Sequence, residues 1–406
     1  MHFDLIIIGL GLTGLMAART AVEEGRKVLL VGRGTGSLCI FTNSIDVLAA
    51  GGDMTIKESV TRWVREQPHH PYAKAGWDNL EASLASFTAL FPPPYSFASR
   101  EGKNSLIPTG AGTMRTTYLL PESFLAGALA DMEKTLIVGI EGFKDFHAEY
   151  VAHHLKCRGI TVAIPREKGN VTNAAGLASL MDDPSFCGDF AGLIKKRIAG
   201  EASIGLPALL GFRSSSRALE IIRTETGCQV FEIPILPPSI PGMRIFHRFK
   251  EYLTMRGVSI IQGHAVESSL RQGKRCLGIN VAQSPLTRTY TADNFILATG
   301  RFFSGGLQTD ENRIYEPIFD LPILQPPARR DWFQRRFFAA GPHPIHGAGV
   351  LTDHELRPVD QGGNLLIENL RVAGSILTHH DSTEELSREG VALATGYAAA
   401  KWTGGC

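Results

Sequence analysis

The stretch that decides the fold lies at the start of the chain, where residues 5–32 read LIIIGLGLTGLMAARTAVEEGRKVLLVG. Residues 5–8 form a short apolar run rich in β-branched side chains, which is typical of a buried parallel strand. The helical pattern that follows ends at Gly25, a residue type that commonly ends helices. Residues 28–31 supply a second buried strand. The stretch therefore predicts one βαβ unit of the length that binds dinucleotides.

Three glycines, Gly9, Gly11 and Gly14, form a G-x-G-x-x-G pattern between this strand and this helix. At such a turn the backbone can approach a phosphate, whose charge is balanced by amide N–H groups and by the helix dipole. The pattern alone is weak evidence. Its position between a predicted strand and a predicted helix favours nucleotide or flavin binding over a merely tight turn.

The end of the second strand lacks the acidic residue that would hold a ribose hydroxyl in a dinucleotide site. Residue 31 is followed instead by Gly32, Arg33 and Gly34. One interpretation is that the ligand carries no adenosine ribose at this point, as with FMN. Another is that Arg33 meets a 2′-phosphate, as in NADP sites, and a third is that it is a solvated arginine in a glycine turn.

Length and composition exclude several classes of protein. The chain has 406 residues, and its 41 Lys and Arg against 40 Asp and Glu give a net charge of +1, so no overall field favours nucleic acid. The longest apolar runs fall far short of the roughly 20 residues that a membrane helix needs, and no secretory signal precedes the first strand. Six single cysteines without a C-x-x-C pair argue against an iron–sulfur cluster or a zinc ribbon in this chain.

Beyond the first unit the chain predicts further elements and an insertion. Proline clusters at 92–94 and 237–238 mark breaks in a segment of mixed helical and loop signals, which reads as an inserted second domain. A helical pattern over 243–256 and a strand over 258–261 indicate a return to the first sheet. Hairpin strands are predicted at 276–281 and 287–291, and a last helix is predicted at 390–402.

Later stretches resemble a known family. Residues 295–300 (FILATG) are similar to the A-T-G strand end of flavoproteins of the two-dinucleotide-binding type, and residues 372–375 (VAGS) resemble their final A-G-[DE] turn. The order and spacing of further stretches resemble the B-subunit family of anaerobic glycerol-3-phosphate dehydrogenase over essentially the whole chain. These stretches are 32–38 (GRGTGSL), 44–48 (SIDVL), 142–146 (GFKDF), 300–307 (GRFFSGGL) and 349–353 (GVLTD).

The resemblance implies a cofactor, partners and a location. In that family the protein is a flavoprotein, assigned FMN, and it pairs with an FAD-bearing catalytic subunit that oxidises sn-glycerol 3-phosphate to dihydroxyacetone phosphate. An iron–sulfur subunit anchors the assembly on the inner face of the cytoplasmic membrane and passes electrons to quinone. The expected cofactor is therefore FMN, with FAD as the alternative, and the expected location is cytoplasmic, with peripheral membrane attachment through the partners.

The same resemblance, together with the glycine pattern, implies a cofactor site. Gly9, Gly11 and Gly14 would cradle the phosphate, and Gly374 with the last helix would meet the ribityl chain and the ring. The residues expected to contact the cofactor are Gly9, Gly11, Thr13, Gly14, Gly32, Arg33, Gly34, Ser44, Thr299, Gly300, Gly374, Ser375 and Gly390. Arg115, in a glycine-containing loop, either approaches a phosphate or is a surface arginine.

No residue is assigned as the proton acceptor. His343, His346 and His379 are candidates because an imidazole can move protons near neutral pH, and ordinary loop histidines are the alternative. No metal site is expected, because no third ligand stands at metal spacing. Ser382 and Glu385 have the spacing of a capping box, so an extra helical turn there is the alternative to direct flavin contact.

The fold class that we expect is α/β, with a Rossmann-like flavin-binding domain that contains a parallel sheet. This domain would comprise residues 1–50, 241–310 and 365–406. Residues 51–240 would form an inserted mixed α/β domain, and residues 311–364 would connect to it and pack on it. Two rival functions remain open: a free-standing FAD- or NADP-dependent oxidoreductase, and a scaffold subunit that has lost its cofactor.

Overall fold

The structure is a computed structural model, and it describes residues 2–42, 44–49, 53–164, 171–338 and 341–402. Its helices are α1 (Leu12–Glu23), α2 (Ile56–Glu66), α3 (Pro71–Ala75), α4 (Trp77–Ala89), α5 (Glu122–Leu129), α6 (Ala148–Leu155), α7 (Ala174–Met181), α8 (Pro184–Lys195), α9 (Ser215–Thr226), α10 (Ile240–Met255) and α11 (Arg388–Trp402). Among the helices in these ranges, none has the length and apolarity needed to cross a bilayer.

The strands fall into two groups along the chain. The first ten are β1 (His2–Ile8), β2 (Val28–Gly32), β3 (Phe97–Ala98), β4 (Ser105–Pro108), β5 (Met114–Thr117), β6 (Leu120–Pro121), β7 (Thr135–Ile140), β8 (Arg158–Val162), β9 (Ser203–Pro207) and β10 (Gln229–Ile233). The others are β11 (Ser259–Gln262), β12 (Val266–Gln272), β13 (Arg275–Gln283), β14 (Leu286–Leu297), β15 (Gln308–Thr309), β16 (Ile314–Tyr315), β17 (Ile323–Leu324), β18 (Gly349–Val350) and β19 (Leu370–Val372).

The chain divides into two compact units. Unit 1 comprises Met1–Ser37, Asp46–Leu90 and Arg248–Cys406, and unit 2 comprises Leu38–Ile45 and Phe91–His247. Each unit has a parallel sheet of its own. The predicted α/β class with a Rossmann-like parallel sheet is therefore confirmed.

Unit 1 is built on a sheet in the order β11-β2-β1-β14-β13-β12, with β19 also paired to β14. Strand β1 lies parallel between β2 and β14, so that Ile6 is opposite both Leu29 and Phe295. All three side chains are fully buried, because helices and loops cover both faces of a parallel sheet. The predicted βαβ unit is confirmed, and so is the return of the chain to this sheet, since β11 pairs with β2.

Strand β14 brings the antiparallel and parallel parts of this sheet together. Its first half pairs with β13 in antiparallel register, and its second half pairs with β1 and β19 in parallel register. The carboxyl ends of β1 and β14 therefore lie side by side, and the chain continues from them into the two glycine-containing turns at Gly9 and Gly300. Ligands of open parallel sheets bind at this edge.

Unit 2 contains a four-stranded parallel sheet in the order β10-β9-β7-β8. Every residue of β7 is buried, as expected for a strand with both faces covered. Helices α6 to α9 supply the apolar side chains that complete this core, among them Val151, Leu177, Phe190 and Leu219. A second α/β core within the central segment is therefore present.

The boundaries of the two units differ from the expected ones at both edges of the insertion. Helices α2, α3 and α4 belong to unit 1, and so do residues 311–364. Phe87 on α4 packs against Phe249 on α10, with ring centroids 6.2 Å apart, and the hydroxyl of Tyr72 donates to the Val47 carbonyl at 2.5 Å. Val372 in turn donates its N–H to the Leu356 carbonyl at 2.8 Å. These long-range contacts leave no local signal in the sequence.

A buried ion pair lies in unit 2 between Glu232 on β10 and Arg244 on α10. The guanidinium donates to both carboxylate oxygens at 2.7 and 2.8 Å, and it also donates to the Gly211 carbonyl at 2.7 Å. Burial alone would lower the pKa of Arg244, yet the Glu232 carboxylate holds that pKa above its usual value. The pair is therefore charged inside the fold, with its polar atoms satisfied.

We predict that Arg244→Met destabilises unit 2, because it leaves the Glu232 carboxylate buried without its cation. The expected loss in the free energy of unfolding is about 3–5 kcal/mol, measured by urea denaturation. The matched control is Arg62→Met, which breaks the exposed pair of Arg62 with Glu66. Equal stability of Arg244→Met and the parent chain would contradict the prediction.

Candidate functional site

The turn between β1 and α1 is packed so closely that two of its positions require glycine. Gly9 has a φ of 125°, and its N–H donates to the Val31 carbonyl at 2.8 Å. A Cβ at Gly9 would collide with the carbonyl oxygen of Ala298, and a Cβ at Gly14 would collide with the carbonyl oxygen of Gly9. Gly9 is thus explained by backbone packing against the end of β14, and Gly14 by backbone packing within the turn itself.

Gly11 differs from its two neighbours in the pattern, because a Cβ built there would meet no atom within 4 Å. Gly11 is the N-cap residue of α1, and no side chain caps the first turn of this helix. Its carbonyl accepts the first helical hydrogen bond from Leu15 at 3.0 Å. Open space therefore adjoins a helix N-terminus whose amide groups lack a side-chain partner, which is the arrangement that receives a phosphate.

A second glycine loop approaches the same point. Gly36 has a φ of 59°, and a Cβ there would lie 3.1 Å from the Cα of Gly11. The loop after β2 therefore passes directly beside the turn between β1 and α1. Gly36 was not among the contacts expected from the sequence, although it stands in the stretch 32–38 that carries the resemblance.

The first turn of α1 packs against the C-terminal part of the chain. A Cβ at Gly374 would collide with the hydroxyl of Thr13, and a Cβ at Gly396 would lie 2.5 Å from the Thr13 carbonyl. The N–H of Gly374 donates to the hydroxyl of Thr395 on α11 at 2.8 Å. Thr13 is thus buried against Gly374, and α11 packs directly on α1.

The end of β14 contributes Thr299 and Gly300. Gly300 has a φ of 73°, and a Cβ there would collide with the hydroxyl of Ser304 and lie 3.5 Å from that of Ser375. Among the described residues, the buried hydroxyl oxygen of Thr299 has no hydrogen-bond partner. An unpartnered buried hydroxyl is costly for a fold by itself, so this atom fits the contact of a bound group.

The end of β2 is covered by an apolar side chain. A Cβ at Gly32 would lie 3.1 Å from the N atom and 3.3 Å from the Cγ atom of Leu10. Arg33 and Gly34 are exposed, and within the described ranges Arg33 forms no hydrogen bond or ion pair. This edge thus offers neither a carboxylate nor a fixed cation to a ribose.

Two more expected contacts, Ser44 and Gly390, and the loop residue Arg115 have partners that explain their positions within the fold. Ser44 is fully buried in unit 2, where its hydroxyl lies 3.4 Å from Nη1 of Arg115; the same nitrogen donates to Thr42 at 2.8 Å. Gly390 donates its N–H to the Asp46 carbonyl at 2.8 Å, and a Cβ there would collide with the hydroxyl of Tyr72.

An arginine next to Gly300 organises the surrounding loops. Arg301 donates through Nη1 to the His346 carbonyl, and through Nη2 to the carbonyls of Leu377 and His380, both at 2.8 Å. Burial lowers the pKa of Arg301 to about 10, although Asp381 and Glu385 act in the opposite direction. The guanidinium still carries its charge at neutral pH, and carbonyls rather than carboxylates hold it.

The imidazole of His380 lies against this cation. Its Nδ1 lies 3.2 Å from Arg301 Nη2, a contact that favours the neutral ring with its proton on Nε2, and Nε2 is buried and lacks a partner among the described residues. Burial, the Arg301 charge and His70 lower the pKa of His380 well below its usual value. The neutral ring therefore presents one unpaired N–H inside the site.

A second buried histidine is fixed by a carboxylate. His70 accepts the Tyr72 N–H at Nδ1 at 3.1 Å and donates from Nε2 to Glu385 at 3.0 Å. Its ring meets that of His380 edge-on, with centroids 5.9 Å apart. Arg301, His380, His70 and Glu385 form one continuous polar network beside the end of β14.

The three histidines proposed from sequence have different environments. His346 contacts Asp381 at 3.0 Å, and its carbonyl belongs to the Arg301 network. His379 is exposed with a φ of 61°, and burial followed by the charges of Lys74, His69 and His70 lowers its pKa. His343 uses both ring nitrogens for backbone contacts with Gln334 and Phe337 in its own loop.

An isolated turn lies before the last helix and is separate from α11, which begins at Arg388. In this turn the Glu385 N–H donates to the Asp381 carbonyl at 3.0 Å, which is the spacing of one helical turn. The Asp381 carboxylate accepts the Thr383 N–H at 3.0 Å, and the Glu385 carboxylate accepts both the Asp381 N–H at 2.8 Å and the His70 ring N–H. The single helical turn suggested by the sequence is therefore present, but Asp381 and not Ser382 pairs with Glu385.

Sequence reasoning missed Arg301, His70 and Lys74. Arg301 stands inside the stretch 300–307, directly after the strand-end glycine, and this position was a usable signal. His70 and Lys74 lie on or beside α3, far from every recognised motif, and only the fold brings them here. Among the described residues, no group of three or more His, Cys, Asp or Glu side chains is arranged to hold a metal ion.

Comparisons with known proteins identify the family. A family model described as FAD binding domain matches residues 4–391. A protein from Halobacterium salinarum, named as the probable B subunit of anaerobic glycerol-3-phosphate dehydrogenase, is 32% identical over 98% of this chain and 96% of its own length. The B subunit from Vibrio cholerae is 30% identical over 98% and 95%. The crystal structure of 3-ketosteroid Δ1-dehydrogenase from Sterolibacterium denitrificans aligns over 99% of both chains, at 12% identity and a TM-score of 0.45.

The chain therefore belongs to the FAD binding domain family and, within it, to the B-subunit family of anaerobic glycerol-3-phosphate dehydrogenase. The resemblance predicted from the sequence is confirmed, and the chain is a flavoprotein oxidoreductase subunit. The residues present fit such a group, because Gly11 leaves open space at an uncapped helix N-terminus and Thr299 has an unpartnered hydroxyl among the described residues.

Lys74 yields a pH prediction for this region. Its Nζ donates to the carbonyl and the hydroxyl of Thr352 at 2.7 and 2.9 Å, and burial lowers its pKa from 10.5 to about 8, although Asp353 opposes the shift. Between these two pH values the unfolded chain binds more protons at Lys74 than the folded chain does. The free energy of unfolding contributed by this residue therefore rises with pH across the window.

We expect Lys74→Met to remove that rise, so that its unfolding free energy climbs less between pH 8 and 10.5 than that of the parent chain. The difference in slope is at most about 1.4 kcal/mol per pH unit. Urea denaturation at several pH values measures it, with the exposed Lys57→Met as the control variant. If the unfolding free energies of Lys74→Met and the parent chain rose equally with pH, the prediction would be wrong.

Proposed function

We propose that this chain binds FMN and relays electrons in an anaerobic glycerol-3-phosphate dehydrogenase. The partners would be an FAD-bearing subunit that oxidises sn-glycerol 3-phosphate to dihydroxyacetone phosphate and an iron–sulfur subunit that passes electrons to quinone. The complex would lie on the cytoplasmic face of the membrane. Membership of the B-subunit family and the geometry of the glycine turn support this proposal.

The observation that carries the proposal is the contrast within the glycine pattern. Gly9 and Gly14 are required by backbone packing, whereas Gly11 faces open space that no described residue fills. A chain selected only for packing has no need of glycine at that point. A phosphate that binds the backbone amides of α1 requires glycine there, because a side chain would keep the phosphate away from those amides.

The proposal favours FMN over FAD on the properties of the β2 edge. FAD would bring an adenosine ribose, for which related folds supply an acidic residue at the end of the second strand. Here Gly32 lies against the Leu10 side chain, and Arg33 points to solvent. FMN ends at its single phosphate, so it needs no partner at this edge.

The residues around Gly300 would set the electrostatics of the site. When bound, the flavin supplies the ability to accept a hydride and to pass on single electrons. Arg301 keeps a positive charge next to the strand end, because carbonyls hold it without neutralising it. Within the described part of the chain, the neutral His380 adds a buried unpaired N–H donor, and Thr299 adds an unpaired hydroxyl. The Arg301 charge favours an anionic group beside Gly300, whereas the carboxylates of Asp381 and Glu385 oppose it.

Gly11→Ala separates cofactor binding from folding. We expect the variant to keep the thermal unfolding midpoint of the parent chain, because its new methyl group meets no protein atom within 4 Å. Its affinity for FMN should fall by at least about tenfold, because the methyl group occupies the approach to the helix amides. Gly188→Ala on α8, also free of contacts within 4 Å and not among the expected cofactor contacts, is the matched control for titration by flavin fluorescence.

The relay itself is tested in the assembled complex. A complex that carries Gly11→Ala should lose quinone reduction by sn-glycerol 3-phosphate in proportion to its lost FMN, and excess FMN should restore the activity. Full quinone reduction by a complex in which this chain holds no FMN would overturn the relay. Unchanged FMN affinity of Gly11→Ala would overturn the proposed phosphate site.

A further inference from the structure

An exposed loop of unit 1 has a composition that folding does not explain. Residues 329–338 read RRDWFQRRFF, and we call them the basic aromatic loop. Phe333, Phe337 and Phe338 are 50%, 66% and 95% exposed. Single exposed apolar side chains are ordinary, but three phenylalanines within six residues, interleaved with arginines, mark a surface that meets something apolar and anionic.

A buried side chain and several hydrogen bonds fix the backbone of the basic aromatic loop. Trp332 is buried, and its carbonyl accepts the N–H of Ile345 at 3.0 Å. His343 accepts the Gln334 N–H at 2.9 Å and donates to the Phe337 carbonyl at 3.0 Å. This histidine therefore fixes the backbone of the loop on both sides of Arg335 and Arg336. The phenylalanines are exposed on a supported backbone and do not belong to an unanchored segment.

The charge of the loop is concentrated and one-sided. Four arginines stand against a single carboxylate, Asp331, in a chain whose net charge is only +1. Arg329 serves the fold, because it donates to the Asp310 carbonyl at 3.1 Å and lies over the Trp332 ring. Arg335 and Arg336 are exposed and have no hydrogen-bond or ion-pair partner within the described ranges.

We propose that the basic aromatic loop docks this chain directly on an anionic lipid surface. Guanidinium groups bind lipid phosphates, and neighbouring aromatic side chains enter the boundary between headgroups and acyl chains. The consecutive order Arg335, Arg336, Phe337, Phe338 places two exposed cations directly beside two exposed apolar rings. A small cluster of this kind is enough for insertion at the headgroup boundary, whereas a protein partner needs a broad surface of roughly 800 Å² on each side.

The lipid contact goes beyond the proposed function and does not depend on it. The resemblance implies membrane attachment through partner subunits alone, whereas the basic aromatic loop gives this chain a contact of its own. The loop also shares a scaffold with the candidate site, because the rings of His343 and His346 lie 5.4 Å apart and the His346 carbonyl binds Arg301.

Vesicle flotation of the purified full chain tests the proposal. The vesicles contain phosphatidylcholine with or without one third phosphatidylglycerol, at low and at high salt. We expect binding only to the anionic vesicles, with a strong loss in high salt. Each arginine near an anionic surface contributes roughly fivefold, so Arg335→Gln with Arg336→Gln should weaken binding about 25-fold.

The double variant Phe337→Ser with Phe338→Ser should also lose vesicle binding, but with little change in the salt dependence of what remains. The matched control is Leu286→Ser with Arg288→Gln, which removes an exposed apolar side chain and an exposed arginine from the start of β14. Circular dichroism checks that each variant is folded.

Three outcomes would overturn the proposal. The first is that the parent chain does not float with anionic vesicles at low salt, and the second is that both loop variants float as well as the control. The third is that the loop variants keep vesicle binding but no longer copurify with the coexpressed subunits of the complex, which would make the loop a protein interface. FMN titration of the same variants should be unchanged, so a failure here is distinguishable from a failure of the flavin proposal.

Discussion

The close approach of backbone to backbone at the turn between β1 and α1 is the constraint on which the candidate site depends. Gly9 lies against the Ala298 carbonyl, Gly14 against the Gly9 carbonyl, and Gly374 against the hydroxyl of Thr13. Each of these contacts excludes a Cβ atom. Together they bring β1, β14 and the last helix to a single point, and they leave Gly11 as the open position there. A chain with ordinary side chains at these glycines could form the same sheet but could not bring these elements together.

A network of charged and polar side chains around Arg301 lies beside this turn. Arg301 is bound by carbonyls from segments that are 45 to 79 residues distant in the chain, so one guanidinium fixes several loops and still keeps its charge. His380 accepts from that cation and therefore stays neutral at physiological pH. Asp381 and Glu385 lie close enough to moderate the charge without pairing with it. The Arg301 guanidinium is not paired with a carboxylate, because Asp381 and Glu385 bind histidines and backbone amides instead.

The sequence predicted the parts of the fold that have a local signal. The βαβ unit, the return strand β11, the strand end at Gly300 and the turn at Gly374 all follow from periodicity, glycine spacing or resemblance. The placement of α2 to α4 in unit 1 could not be predicted, because it depends on Phe87 meeting Phe249 and on Tyr72 meeting Val47. The polar network was missed for the same reason. His70 meets Glu385 across more than 300 residues, and the local spacing around Glu385 gives no sign of this contact.

The central claim is that the turn at Gly9, Gly11 and Gly14 holds a flavin by a single terminal phosphate. The most direct measurement is the identity and amount of the flavin released when the chain, purified from its native host, is denatured in acid and analysed by mass spectrometry. We expect FMN in equimolar amount with the chain. Release of FAD would contradict the single-phosphate site, and a protein that releases no flavin and takes up none from excess FMN would contradict the claim altogether.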